Sequence, residues 1–552
     1  MQAGRSEAGS FQAGEFQPGD SQAGDSQAGG SEAGIRAAAG PCGQAPPGLD
    51  IAALQAGLQA STGRPVRLVQ THVSWVLLDG EHAWKIKKPL SLGFLDFSTR
   101  RARERACAEE LRLNRRLAPG LYLDLVPVRG SLARPRLDGE GPVIDHALRM
   151  RQFPDDALLS RRLAEGRLDG ATVDRLAARL AAFHRQAPRA AVGDGYGASA
   201  QVRGATAQVL AALARLGEDP RLASLGAWCD AEGRRLARRF DARRRAGWGR
   251  EGHGDLHLDN LIDFEGEVTA FDCLEFDPAL RWIDVQADIA FACMDLHARG
   301  RPELAWRLLD GWLEGTGDHA GMAVHRYYLV YRALVRALVL ALRRSQGAAA
   351  AGADYLAAAQ RLARPGEPRL LLTHGPSGSG KSRLALALVE AAGAVRVRSD
   401  VERKRLLGLG PLEPTQAARA YSAQASRRTY ARLRRLAREV LAAGYPVIVD
   451  AAFLEPSRRD PLVALADSMG LPWALLDCHA EAALLRQRLL ARRARGDDPS
   501  EADLQVLQAQ LARGDLLRPG ERARCIDVDT GAPVDVAGVA ARWAALDGGV
   551  AP

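Results

Sequence analysis

Residues 375–382 read GPSGSGKS, and their setting decides the fold of the second half of the chain. A strand-like run, Arg369–Thr373, precedes them and a helical run opens at Ser382. This is the spacing G-x-x-x-x-G-K-[ST] in the strand–loop–helix context that a phosphate-cradling loop requires. Gly375, Gly378 and Gly380, with Ser377 and Ser379 between them, let successive backbone N–H groups turn inward around the triphosphate of ATP. Lys381 reaches the β- and γ-phosphates as a compact point charge, and the Ser382 hydroxyl can ligate Mg2+.

Outward from the loop the pattern alternates. Strand-like Ala394–Arg398, Pro446–Val449, Trp473–Cys478 and Cys525–Val528 are separated by helical stretches. That alternation predicts an α/β domain with a parallel sheet covered on both faces, and a ligand at the carboxyl ends of its strands. Asp450 follows an apolar strand, as a Mg2+ carboxylate would. Asp400 follows another, with Arg403 one helical turn on. A carboxylate there can take the proton of a substrate hydroxyl, and Arg403 can hold an anionic substrate. Asp400 also reads as a helix N-cap. The Arg-rich stretch 484–503 ends in a Gly-Asp-Asp-Pro turn, and Arg492 and Arg495 beside it are placed to close over a triphosphate.

The first half carries a second constellation. HGDLHLDN at 253–260 sets Asp255 and Asn260 five residues apart. Asp255 can orient and deprotonate a hydroxyl, while Asn260 offers a neutral oxygen to Mg2+. The short strand Val268–Phe271 then delivers Asp272 as the main metal carboxylate. Upstream, AWKIKKP (83–89) puts Lys85 and Lys87 on one face of a strand and Lys88 on the other. Asp79-Gly80 before it is a hairpin signal between strand-like Val66–Leu78 and His82–Lys88. The helix expected over 100–117 supplies Glu104, Glu109 and Glu110 as partners for the strand lysine.

Composition sharpens these choices. The 552 residues contain 75 Lys and Arg against 66 Asp and Glu. A net charge of +9 over that length is too thin to imply a nucleic-acid scaffold. Only Lys85, Lys87, Lys88, Lys381 and Lys404 are lysines, and only Asn114 and Asn260 are asparagines. Where arginine is used almost everywhere, the retained lysines mark chemistry a guanidinium cannot do. Asn114 has no assigned role.

The seven cysteines, Cys42, Cys107, Cys229, Cys273, Cys293, Cys478 and Cys525, form no CxxC pair. They fit reduced thiols in a cytoplasmic protein rather than a disulfide framework or zinc site. The most apolar stretch, 327–342, carries Arg332 and Arg336 and reads as a buried helix, not a membrane span. The first residues lack a signal-peptide pattern. Residues 6–34 repeat a Gly-containing five-residue theme that cannot bury a core, so 1–45 is expected to be a disordered tail. Residues 46–345 and 367–548 are expected as domains, joined by an Ala-rich linker at 346–366.

The second half, through GPSGSGKS, RSD-x-x-R (398–403) and VIVDAAF (447–453), resembles the small P-loop kinases of the AAA-type ATP-binding family. That family includes polynucleotide 5′-hydroxyl kinases and zeta-toxin-like kinases. The resemblance implies Asp400 as general base, with Arg403 near a substrate phosphate. The lid around Arg492 is only loosely matched.

The first half resembles the aminoglycoside phosphotransferase family, through HGDLHLDN and FDCLEF (271–276). This implies an α+β, bilobal protein-kinase-like fold, with Asp255 as base and Asn260 and Asp272 on metal. MRQFP (150–154) would be the hinge against adenine. Glu110 would pair with the strand lysine, Lys87 being preferred to Lys85. No Gly-rich loop precedes AWKIKKP, a departure from the kinase pattern. The order of halves resembles bacterial fused proteins of these two types.

The expected function is therefore ATP- and Mg2+-dependent phosphoryl transfer at two nucleotide sites, onto hydroxyl groups of unidentified small molecules or nucleic acid. Two other readings stand beside it. In one, one half serves as a non-catalytic ATP-binding regulator; in the other, the P-loop half acts on polynucleotide 5′-hydroxyls. The acidic stretch 272–295 (Asp272, Glu275, Asp277, Asp284, Asp288, Asp295) could line a pocket for polycations, or serve as ligands and caps.

Overall fold

The computed structural model describes residues 48–71, 73–92, 95–137, 139–345, 352–415, 422–496, 498–512 and 517–546. The expected tail, 1–45, and the start of the expected linker, 346–351, lie outside them, as does Cys42. Folded sequence begins with the helix Ile51–Thr62, capped by Asp50, whose carboxylate accepts from the Ala53 N–H.

A six-stranded antiparallel sheet follows. Its strands are β1 (Arg67–Gln70), β2 (Ser74–Leu78), β3 (His82–Lys87), β4 (Tyr122–Ser131), β5 (Arg134–Leu137) and β6 (Val143–Arg151). They lie in the order β1-β2-β3-β6-β4-β5. The expected run Val66–Leu78 is thus two strands, β1 and β2, paired with each other. The β2–β3 turn at Gly80 has φ +92°, which a side chain would resist. Helix Arg100–Asn114 packs on the sheet, its N-cap Thr99 accepting from Ala102. It ends three residues short of the expected 117. The end of β6 and the residues after it, 150–154, run toward a largely helical layer. There the N–H groups of Arg151 and Gln152 donate to the Leu121 and Glu81 carbonyls.

The helical layer is built on Gly170–Gln186, Ser199–Leu216, Arg221–Arg245, Val285–Ala298, Pro302–Thr316 and Met322–Ser345. The hairpin Leu261–Phe264 with Glu267–Ala270 lies among them. Arg332 and Arg336 are buried in the last helix: Arg332 donates to the Ala287 carbonyl (3.0 Å), and Arg336 pairs with Asp259 (3.2 Å). Among the described residues no helix is long and apolar enough to cross a membrane. Residues of the expected linker form a helix, Tyr355–Ala363, that packs back on this layer, the Tyr355 hydroxyl donating to Asp295 (2.6 Å).

The second sheet comprises β7 (Leu370–His374), β8 (Val395–Arg398), β9 (Val447–Asp450), β10 (Trp473–His479) and β11 (Cys525–Asp529). All four pairings are parallel, in the order β8-β9-β7-β10-β11. β7 and β9 are buried along their whole length, as doubly covered parallel strands must be. β7 is central, and the chain leaves it toward β8 on one side and later returns to β10 on the other. The loop after β7 therefore opens at a topological switch point.

The two halves share one continuous apolar cluster, running from Leu304, Leu308 and Trp312 into Leu370, Val395 and Val447. Arg326 of the helical layer donates to the Gly444 carbonyl (3.2 Å) and lies over the Tyr445 ring.

Candidate functional site

At the switch point the loop 375–380 curls before helix Lys381–Ala392. Gly375 and Gly378 take φ +127° and +84°. A Cβ at Gly375 would stand 2.1 Å from the Cys478 carbonyl oxygen, and one at Gly378 2.8 Å from that of Leu485. Glycine is therefore dictated twice, by conformation and by contact. The Lys381 ammonium folds back onto the loop, donating to the Pro376 carbonyl (2.7 Å). Burial pulls its pKa below the ordinary lysine value; Asp450 and Asp400 oppose this, while Arg492 acts with burial. A desolvated, incompletely compensated cation is the electrostatic signature of an anion site. Lys381, Asp400, Asp450 and Arg492, expected together from sequence, thus bear on one another in space.

Asp450 ends β9. Its Oδ1 lies 3.5 Å from the Thr373 hydroxyl, while its buried Oδ2 accepts no hydrogen bond among the described residues. The Arg398 Nε stands 3.6 Å from that oxygen. An orphaned carboxylate oxygen beside a phosphate loop has the chemistry Mg2+ needs, and Ser382 lies in the first turn of the neighbouring helix. Asp400 lies inside the first turn of helix Ser399–Leu406, whose N-cap position is Arg398, so the cap reading of Asp400 does not hold. Arg403 is buried on the same helix, and the charges of Asp400 and Arg403 both act on the hydroxyl of the half-buried Tyr430. Lys404 pairs with Glu501 (3.1 Å).

Arg492 donates to the Ala502 carbonyl (3.0 Å), folding the Arg-rich helix Ala482–Arg495 against the segment that follows. Three groups around the loop were not foreseen. Arg488 donates to the Gly378 carbonyl (3.4 Å) and to Thr530. The Thr530 hydroxyl donates to the Ser379 carbonyl (2.9 Å). The Gln510 side chain accepts from the Ser377 N–H (2.8 Å). None of these carries a local pattern, because the contacts join segments from 42 to 151 residues apart.

The second centre lies between the antiparallel sheet and the helical layer. The Asn260 amide donates to both the Asp255 carbonyl and its carboxylate Oδ2, each at 3.0 Å. That orientation leaves the Asn260 side-chain oxygen for another partner. The His257 Nε2 is 3.2 Å from the Asp255 carboxylate. Burial pushes the Asp255 carboxyl up, but His257 and Arg336 more than offset it and hold the group ionised, well below the usual range. Asp272, at φ +61°, presents Oδ1 to Lys85 (2.6 Å), and its N–H donates to the Tyr122 hydroxyl. Its side chain remains 45% exposed. Burial raises the Asp272 pKa, and the Lys85 charge overrides it so that the net shift is downward.

Both strand lysines reach Glu110, and the geometry separates their roles. Lys85 divides itself between Glu110 (2.7 Å) and Asp272 (2.6 Å). Lys87 is buried between Glu110 and Glu275, each at 2.5 Å. The expected pairing of Lys87 with Glu110 is thus present, but Lys85 shares it, and of the two Lys85 is the one that also pairs with Asp272. Burial disfavours both ammonium groups, yet the facing carboxylates hold both pKa values above normal. Lys88 lies over the Trp75 ring.

Asn114 has a part that sequence reading did not assign. Its amide donates to the Glu110 carbonyl and its oxygen accepts from the Cys273 N–H, both at 2.9 Å. It thus ties the lysine's partner helix to the residue after Asp272. Asp288 and Asp295, two turns apart on helix Val285–Ala298, support the 253–260 loop from below. Asp288 accepts from the His253 (2.7 Å) and Gly254 (2.9 Å) N–H groups, and Asp295 from that of Leu258 (2.9 Å). Asp284 holds Arg243, Glu275 holds Lys87, and Asp277 caps a short helix. The acidic stretch 272–295 is thus consumed in internal contacts rather than lining a pocket for polycations. The i, i+7 spacing of Asp288 and Asp295 was the legible signal.

Among the described residues no group of three or more His, Cys, Asp or Glu side chains could hold a metal ion. The residues expected to meet a metal are only two in each half, Asn260 with Asp272 and Ser382 with Asp450, few enough that a cation there would be held mainly through phosphates and water.

Comparison with known proteins bears on the second half and on the chain as a whole. A family model described as AAA domain matches residues 370–517, which hold the phosphate loop and strands β7 to β10 of the parallel sheet of the second half. The uncharacterized protein Rv2004c of Mycobacterium tuberculosis is 33% identical over 481 residues, covering 85% of this chain and 92% of its own length. Mb2027c of Mycobacterium bovis, also uncharacterized, matches equally. The chain belongs to the family of these mycobacterial proteins, and the match is long enough to span both halves. Among solved structures, a gluconokinase from Sinorhizobium meliloti is 25% identical, covering 32% of this chain and 89% of its own, with a TM-score of 0.23. A sugar kinase from Janibacter sp. is 20% identical, covering 33% and 96%, with a TM-score of 0.24.

Proposed function

We propose that the chain is an ATP- and Mg2+-dependent phosphotransferase with two nucleotide sites, each passing the γ-phosphate to a hydroxyl group. The observation that carries the reading is the recurrence, in both halves, of a half-buried lysine, a metal-ready carboxylate and a separate carboxylate for the acceptor. In the P-loop half these are Lys381, Asp450 and Asp400; in the first half they are Lys85, Asp272 and Asp255. The aminoglycoside phosphotransferase-like, bilobal reading of 46–345 rests on the order Lys85, Glu110, Asp255, Asn260, Asp272 and on its convergence in space. Domains at 46–345 and 367–548 belong to the same proposal.

Mg2+ held by Asn260 and Asp272, or by Ser382 and Asp450, would neutralise phosphate charge. The chain's own residues do the rest by position and charge. Asp255, kept ionised, accepts the acceptor hydroxyl's proton, and Asn260 fixes its carboxylate. Lys85, aligned by Glu110, holds phosphate oxygens. In the other half the loop N–H groups and Lys381 bind phosphate, Asp400 takes the proton, Arg403 orients an anionic acceptor, and Arg492 closes from the lid. The acceptor hydroxyl belongs to a small molecule or a nucleic-acid end.

The test is γ-labelled ATP supplied to the full chain with a cell extract, reading the labelled products. Lys381→Ala is expected to remove one set and Asp272→Ala the other. If either change removes all transfer, two independent sites are ruled out.

A further inference from the structure

Helix Pro302–Thr316 belongs to the first half, yet two of its carboxylates serve the second. Asp310 accepts from Arg396 at Nε (3.3 Å) and Nη2 (2.7 Å). Glu314 pairs with Arg396 Nη2 (3.0 Å) and Arg398 Nη1 (3.4 Å). Asp310 and Glu314 are i, i+4 on one helix face, and Arg396 and Arg398 are i, i+2 on one strand face, so the four meet across the junction.

Each arginine has a second end in the P-loop centre. Arg396 Nη1 donates to the Ser382 carbonyl (3.1 Å). Arg398 stands 3.6 Å from the orphaned Asp450 Oδ2, and its Nη2 is 3.6 Å from Asp498 in the turn that ends the Arg-rich helix. Arg398 thus sits among three carboxylates: one from the other half, one that would hold metal, and one on the lid turn.

We infer that Glu314 is a positioning residue of the P-loop centre, supplied by the other half. It holds Arg398 back from Asp450 and keeps that carboxylate oxygen available to Mg2+. The inference rests on the nucleotide reading of the P-loop. Without the Glu314 charge, Arg398 would close the remaining distance to Asp450 and compete with the cation for it.

The full-length chain is titrated with a fluorescent ATP analogue at varied Mg2+. The P-loop signal is taken as the part lost in Lys381→Ala. Glu314→Gln, close to isosteric, is expected to raise the Mg2+ midpoint about tenfold while metal-free binding stays unchanged. Arg398→Gln alone is expected to lower the midpoint below wild type, and the double variant to behave as Arg398→Gln. A merely structural role for Glu314 would weaken metal-free binding as well and would not be rescued by the second change; that result overturns the inference. So does an unmoved midpoint in Glu314→Gln. Should that variant fail to fold, an unmoved or raised midpoint in Arg398→Gln overturns it. A wild-type chain with no Lys381-dependent signal overturns the nucleotide reading and this inference together, whereas an intact signal with an unmoved midpoint overturns this inference alone.

Discussion

Lys85 and Lys87 differ by two positions and share Glu110, but their surroundings assign them different work. Lys87 is 1% exposed and clamped between two buried carboxylates, Glu110 and Glu275. Removing it strands both, and breaking a buried ion pair costs about 3–5 kcal/mol. Lys87→Met is therefore expected to lower the denaturation midpoint strongly. Lys85→Met leaves Glu110 its second lysine and Asp272 half exposed, so it is expected to lose little stability while abolishing turnover in the first half. Denaturant titration beside labelled-product assays checks the pair. The alternation along β3 made it legible that both lysines face the same way. Which one meets Asp272 was not, because the answer depends on where a segment 187 residues away returns.

At the scale of elements, the HGD loop is held by what lies beneath it. Gly254 sits at φ +87°, and a Cβ there would come 2.7 Å from the Leu280 carbonyl. Asp288 satisfies the loop's first two N–H groups and accepts from His184, whose other nitrogen accepts from Trp312 (2.9 Å). Burial raises the Asp288 pKa, but His184 and the loop outweigh it and hold the carboxyl down to about 2. Asp288→Ala would leave these donors buried and unpaired, each costing about 1–3 kcal/mol. A fall in kcat for the first half is expected, with the P-loop nucleotide signal retained. Rescue by Asp288→Glu is not expected, because the longer arm misplaces both acceptor oxygens. Trp312 lies between Asp310 and Glu314 in sequence, on the opposite face of helix Pro302–Thr316. One helix thus touches the support of both loops. Strands of the parallel sheet were legible within a residue or so from their apolar runs. β4, β5 and β6 were not assigned, because 118–150 mixes charged and apolar residues without a dominant period.

Across the whole molecule, the shared core buries groups that set its acid limit. His325 is buried with Nδ1 on Gln286 (2.9 Å). Burial lowers its pKa from 6.5 to about 3, and lowers that of His297 to about 4. The unfolded chain takes up these protons near pH 6.5 and the folded chain only much lower. Stability present above about 6.5 is therefore lost as pH falls through that window. Denaturant midpoints at pH 7, 6 and 5 should decline in step, and His325→Phe should flatten the decline.

The sequence by itself determined the P-loop, its parallel-sheet setting, and the two sets of lysine and carboxylates, with Asn260 in the first. Those are local patterns, written by backbone conformation and side-chain period. Only the tertiary structure decided that Lys85 rather than Lys87 joins Asp272, that Asn114 braces that join, and that the acidic stretch turns inward. It alone brought Glu314 to Arg398, because charge pairing across a buried junction depends on which surfaces meet, and no period along the chain records that.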